Sequence, residues 1–159
     1  MIAVGDEIPD VPLKAVTPDG TEDVRTGELF ATGRTVLFGV PGAFTPVCSD
    51  FHLPGFVLKT DDILAKGIDR IACVSVNDAF VMGAWGKSED AEGIVMLADD
   101  AAAFTTAMGL ATDASSFGLG TRSERYAAII ENGVLTSIDV EKEFVDHEVS
   151  TAEHVLAAL

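Results

Sequence analysis

Basic residues are scarce in this chain: 10 Lys and Arg stand against 26 Asp and Glu, a formal charge of −16. A phosphate-binding face needs clustered Lys and Arg, and these are scattered, so no nucleic-acid partner is expected. Long apolar runs are missing as well. None approaches the roughly 18 residues of a membrane span, so no membrane partner is expected either. The segment Met1 to Glu7 has no basic region, apolar stretch or cleavage site of a targeting peptide, and a cytoplasmic location is the expectation. Cysteine is limited to Cys48 and Cys73, too far apart for a C-x-x-C or zinc pattern. The three histidines, His52, His147 and His154, lack metal-ligand spacing. Gly118-Leu119-Gly120 lacks the third glycine and the strand–turn–helix context of a dinucleotide loop. There is no internal repeat, linker or low-complexity segment. Metal-free thiol chemistry, with no cofactor, is what these absences leave.

The 159 residues, 48% hydrophobic and 23% charged, are expected to form one domain spanning 1–159. A Pro18-Asp19-Gly20 turn is followed by an apolar run from Thr35 to Val40 that reads as a buried strand. A helical segment from about Val47 to Lys66 is expected to kink at Pro54-Gly55 and to end at Gly67. Ile71–Val76 and Ile94–Ala98 are further strands; the first is apolar throughout, as a strand buried on both faces is. Asn77 or Asp78 can cap a helix through about Trp85, and Asp99-Asp100 lead another through about Met108. Asn132-Gly133 marks a hairpin between Tyr126–Glu131 and Val134–Ile138. A last helix covers about Thr151 to Ala158. Strand–helix units followed by a hairpin and a helix describe an α/β protein with a mixed central sheet flanked by helices. The thioredoxin fold has this form.

Cys48 carries the most chemical information. The strand before it breaks at Pro41-Gly42, a turn signal. Pro46 disfavours helix at Thr45 and suits a first helical turn. Cys48 therefore falls where unpaired amides and the helix macrodipole stabilise a thiolate, and cysteines at such positions are nucleophiles near neutral pH. In the pattern Pro-x-x-x-Thr-x-x-Cys, the Thr45 hydroxyl can turn back to donate toward the sulfur or toward an incoming oxygen. Pro41 can shield the sulfur without offering a competing donor.

The longer run Pro41-Gly42-Ala43-Phe44-Thr45-Pro46-Val47-Cys48-Ser49, with His52-Leu53-Pro54-Gly55-Phe56, resembles the active-site segment of peroxiredoxins of the type II, plant-type and peroxiredoxin-5-like subfamily. Val74 to Val81, Ala84-Trp85-Gly86 and Gly118 to Tyr126 resemble further segments of the same subfamily. The likeness runs from about Gly5 to Leu159. It implies a thioredoxin fold and a thiol-dependent peroxidase that reduces hydrogen peroxide and organic hydroperoxides through a sulfenic acid at Cys48. It also implies recycling by glutathione, glutaredoxin or thioredoxin, and assembly as a homodimer.

The resemblance assigns catalytic parts to Cys48, Thr45, Arg125 and Pro41. For Arg125 alone, a structural ion pair with one of the many carboxylates is the competing reading, and Arg122 competes for its catalytic part. His52 invites a general-base role, but an ionised thiolate needs no base, so local packing or capping is expected. Phe80 and Trp85 are expected in the core or at the dimer contact, and Phe44 on or near the loops beside that contact. Animal relatives carry a resolving cysteine near the C-terminal end, and the region around Glu148-Val149-Ser150 has none. Cys73 matches the second cysteine of plant-type relatives. Its buried strand makes it structural in expectation, with an external thiol meeting an exposed Cys48 sulfenic acid.

Overall fold

A computed structural model describes all residues, 1–159. A seven-stranded sheet runs through the molecule in the order β2-β1-β5-β4-β3-β8-β9. Strands β1 (Pro12–Thr17) and β2 (Gly20–Arg25) form an antiparallel hairpin. The centre is parallel: β3 (Arg34–Gly39), β4 (Arg70–Ser75) and β5 (Ile94–Ala98) pair in one direction. β8 (Tyr126–Glu131) and β9 (Val134–Val140) close the other side antiparallel. The turn between them is Asn132-Gly133, both at positive φ (49° and 81°), the two-residue geometry that matches strand twist. This is the mixed, thioredoxin-like α/β sheet.

Helices cover both faces. α1 (Thr26–Leu29) is a single turn. α2 (Leu53–Leu64), α3 (Ala79–Ser88) and α5 (Ala152–Ala158) contribute to one core cluster with Val36, Phe38, Ile71 and Cys73. α4 (Ala103–Ala107) adds Phe104 to the opposite cluster with Leu37, Ala72 and Val74. Alternate residues of β3 and β4 therefore enter different cores, which explains why these strands read as unbroken apolar runs. No helix is long and apolar enough to cross a membrane.

One feature departs from expectation. The helix irregularity lies one turn before Pro54-Gly55, as a π turn at Cys48–His52 closed by the Leu53 amide on the Cys48 carbonyl. Pro54 supplies the reason. In an α-helix its ring would clash with the carbonyl four residues back, on Asp50, and a π turn widens the backbone there. The polar, glycine-rich stretch after α4 holds a small ribbon, β6 (Ala111–Asp113) with β7 (Thr121–Ser123).

Gly39 ends β3 opposite Tyr126. A Cβ at Gly39 would stand 2.1 Å from the Tyr126 ring, which leaves no room for any side chain. Gly39→Ala should therefore destabilise the fold by about 1–3 kcal/mol or more. Urea unfolding measures this, and an unchanged midpoint would contradict the packing described.

Candidate active site

Beyond Gly39 the chain leaves the sheet, and a set of hydrogen bonds shapes the turn that follows. The Val40 amide donates to the Val74 carbonyl at 3.1 Å. Asn77 Oδ1 accepts from the Ala43 amide at 3.0 Å and from Ser75 Oγ at 2.6 Å, so Asn77 serves this turn. Asp78 is the residue that caps α3, through the Val81 amide. Arg122 Nη1 donates to the carbonyls of Val76 at 3.0 Å and Pro41 at 3.5 Å. Arg122 thus braces the turn from behind, and Pro41 itself is buried. Phe44 takes φ = 62°, a left-handed conformation that bulky residues rarely adopt.

Helical backbone then begins at Pro46, and the Ser49 amide donates to the Thr45 carbonyl at 2.9 Å. Thr45 is therefore the residue at the helix boundary, and the Val47 and Cys48 amides fall in the first turn, where amides have no intrahelical acceptor. One expectation needs correction here. The Thr45 hydroxyl donates to the Gly42 carbonyl at 2.6 Å, not toward the sulfur. A helix start offers a carbonyl nearby, and a neutral hydroxyl has only one proton to give. Its lone pairs stay available to accept.

Arg125 precedes β8, and the alternation along that strand puts it on the face of Ala127 and Ile129, in the cluster that contains Cys48. Its Nη2 donates to Cys48 Sγ at 3.2 Å. The side chain is only 2% exposed, yet it belongs to none of the ion pairs, which join Lys14–Asp23, Arg25–Asp10 and His154–Asp139. The carboxylate partner that an arginine in this position ordinarily finds is absent. The Cys48 sulfur and the His52 ring are the side-chain groups it meets.

His52 lies in the π turn, fully buried between Phe38 and Phe56. Its Nδ1 faces Arg125 Nη1 at 3.0 Å and its Nε2 faces the Ser150 carbonyl at 2.9 Å. Burial, then the charges of Arg125 and His147, hold its basicity well below the ordinary value, against the Ser150 carbonyl. Burial and Arg125 lower His147 as well. Neither Ser150 nor Glu141 was marked by the sequence. The Glu141 carboxylate accepts the amides of Glu148 (2.8 Å), Val149 (3.2 Å) and Ser150 (2.9 Å), and the Ser150 hydroxyl at 2.6 Å. Burial pushes that carboxyl up, but the Ser150 and backbone hydrogen bonds outweigh it and keep it below its ordinary value.

One further expectation changes. Cys48 is completely buried, not exposed, because Arg125, His52 and the core close over its sulfur. Trp85 is fully buried, the core placement expected for it, with its indole Nε1 donating to Ser49 Oγ at 2.9 Å. Phe80 (90% exposed) and Phe44 (55% exposed) remain outside. Cys73 lies in β4 beneath the site with a free thiol that burial pushes well up.

The Redoxin family matches residues 3–156. Rice (Oryza sativa subsp. japonica) peroxiredoxin-2E-2, described as chloroplastic, is 48% identical over 99% of this chain and 72% of its own length. Arabidopsis thaliana peroxiredoxin-2D is 43% identical over 99% of this chain and 98% of its own. Reduced Prx3 of Vibrio vulnificus, solved in complex with hydrogen peroxide, superimposes with a TM-score of 0.93 at 52% identity, over 99% of each chain. The chain belongs to the peroxiredoxins. As a peroxiredoxin it is a thiol peroxidase, an oxidoreductase that acts on peroxides and draws on thiol reductants.

The buried His52 makes the stability of this peroxiredoxin sensitive to acid. Folding favours neutral His52, so below the unfolded value of about 6.5 the unfolded chain binds more protons. Stability then falls as pH drops toward the folded value, by at most about 1.4 kcal/mol per pH unit for this one group. Glu141, lowered by its bonds, contributes stability that is lost only at more acid pH, below about 4.3. Thermal melts between pH 7.5 and 5 should show wild type losing more than His52→Asn. Parallel losses would mean that His52 does not titrate in this window.

Proposed function

We propose that Cys48 is the peroxide-reducing thiolate and that Thr45, Arg125 and Pro41 form its substrate pocket. The observation that carries this reading is the 3.2 Å bond from Arg125 Nη2 to Cys48 Sγ, made by a buried guanidinium with no carboxylate beside it. A buried charge must be compensated, and ionising Cys48 compensates it. The thiolate attacks one peroxide oxygen in line. The S–O bond forms as the O–O bond breaks, and the departing oxygen takes a proton to leave as water or alcohol, with Cys48 left as a sulfenic acid. The forked donors of Arg125 and the amides of Val47 and Cys48 hold the oxygens and stabilise charge on the leaving one. Thr45, its proton engaged by Gly42, accepts from the peroxide O–H. The buried ring of Pro41 keeps water from the sulfur. The hydrogen peroxide bound by the Vibrio relative supports hydrogen peroxide as a ligand here, and organic hydroperoxides follow by the same chemistry.

An external thiol, glutathione with or without glutaredoxin and then thioredoxin, is the proposed reductant. A first thiol condenses with the sulfenic acid, releasing water and leaving a mixed disulfide. A second thiol attacks that disulfide and frees Cys48. Because Cys48 is buried, either resolving route requires the helix start to open. Cys73 is then disfavoured by its own chemistry, since burial keeps it protonated and the thiolate is the attacking species.

Steady-state assays with hydrogen peroxide and cumene hydroperoxide, each with the glutathione–glutaredoxin and thioredoxin systems, test this reading. Cys48→Ser should abolish turnover, and substantial residual activity would sink the assignment. Arg125→Lys keeps the charge but loses the fork and should cost on the order of 10²-fold, about 2.7 kcal/mol. Arg122→Lys, acting through the turn, should cost less. Cys73→Ser should retain turnover with glutathione. A quantitative Cys48–Cys73 disulfide by mass spectrometry, with turnover lost in Cys73→Ser, would make this a two-cysteine enzyme.

A homodimer is also proposed, supported by the exposed rings of Phe44 and Phe80 beside the active-site turn and α3. Apolar patches of that kind mark interfaces. Sedimentation should give about twice the 16.6 kDa chain mass, and a strictly monomeric species at micromolar concentration would contradict it.

A further inference from the structure

Away from the Cys48 turn, the end of β1, the helix α3 and the start of β5 leave a cavity of about 370 Å³ between them. Small-molecule sites have volumes of roughly 300–1,000 Å³. None of the residues around this cavity takes part in the chemistry above. In the sheet order β5 stands two strands from β3 and β1 stands three, roughly 10–15 Å away at the usual strand spacing. The two sites are separate. The apolar part of the cavity comes from Val16, Ala91, Ile94 and Met96. On the helix side it is open, because α3 carries Gly83 and Gly86 there. Glycine is a poor residue for a helix interior, and neither position has the positive φ that would call for it. Space is the reason for both. A Cβ on Gly83 would stand 3.2 Å from Val16 Cγ1, and one on Gly86 would stand 3.1 Å from Met96 Cγ.

The polar part consists of two charges of opposite sign. Lys87 and Glu92 line the same cavity, yet neither forms an ion pair, with the other or with any further group. We propose that this cavity binds a free α-amino acid with an aliphatic side chain. Its carboxylate meets Lys87, its ammonium meets Glu92, and its side chain lies on Val16, Ile94 and Met96. Charge complementarity selects this class. A simple carboxylate would leave Glu92 unanswered and would have to approach a chain of formal charge −16. A simple amine would leave Lys87 unanswered. A zwitterion carries no net charge and answers both. The two charges of an α-amino acid sit on one carbon, so its side chain is free to turn toward the apolar wall. An aliphatic body suits that wall, where the thioether of Met96 can adapt to the shape it meets.

The test uses the whole protein and L-leucine as the probe, followed by calorimetric titration and by backbone amide chemical shifts. Saturable shifts at Gly83, Gly86 and Ala91 are expected, with a Kd of about 1 mM or tighter. N-acetyl-L-leucine lacks the ammonium and L-leucinamide lacks the carboxylate. Each should bind about threefold more weakly or worse, the scale of one partly exposed ion pair. Lys87→Gln should weaken L-leucine by a similar factor and leave L-leucinamide unaffected. Glu92→Gln should weaken L-leucine and leave N-acetyl-L-leucine unaffected. Gly83→Leu fills the cavity and should abolish binding. Should its thermal melt show that it does not fold, Gly83→Ala takes its place, with a weaker affinity expected. Three results would each overturn the proposal: no saturable shift up to about 10 mM, shifts centred on the Cys48 turn, or wild-type affinity for L-leucine in both Lys87→Gln and Glu92→Gln. None of these readouts involves turnover, so the assignment of Cys48 stands or falls separately.

Discussion

A guanidinium buried to 2% exposure is the constraint around which this molecule is organised. Arginine does not surrender its charge in proteins, and an unpaired buried charge is strongly unfavourable. The chain has 26 carboxylate residues, and none forms an ion pair with Arg125. Its charge is instead directed at a sulfur and at an imidazole kept neutral by burial and by that same charge. The electrostatic deficit that a carboxylate would remove is left for a thiolate to fill. The reactivity proposed for Cys48 rests in this sense on what Arg125 lacks.

The fold delivers these groups from three separated segments. Parallel β3 releases the chain at Gly39 into a turn held by Asn77 and Arg122. The π turn sets Cys48 and His52, four residues apart, against one guanidinium. The antiparallel entry of β8 brings Arg125 to the same sheet face. Because β8 pairs with β3 in a fixed register, with Tyr126 opposite Gly39, the arginine cannot slip by one residue without turning to the other core. The close contact at Gly39 and the placement of Arg125 are two aspects of one pairing.

Much of this was legible in the sequence. The strands Ile94–Ala98 and Tyr126–Glu131 stand at their expected bounds, since apolar runs bounded by turn residues leave few alternatives. Asn132-Gly133 makes the expected hairpin because its two positive φ values are those such a dipeptide tolerates. The resemblance around Cys48 and Arg125 led to residues that the fold brings into contact. What escaped depended on long separations or on competition between local bonds. His52 and Ser150 lie 98 residues apart, and nothing in the periodicity of either segment announces the contact. Thr45 could give its proton to the sulfur or to a carbonyl, and spacing alone does not choose. Burial of Cys48 follows from the closure of loops whose path no local pattern dictates.

The single tryptophan of the chain is bonded to Ser49, the residue that follows Cys48. Trp85 is sealed in the core, and its one polar contact is to the residue adjoining Cys48. An opening of the helix start that displaced Ser49 would break that contact. The protein therefore carries its own optical reporter. Emission from one chromophore, free of overlap from any second tryptophan, registers the conformational step in real time without an attached dye. Chemistry at the sulfur and motion of the backbone can be timed separately in the same sample.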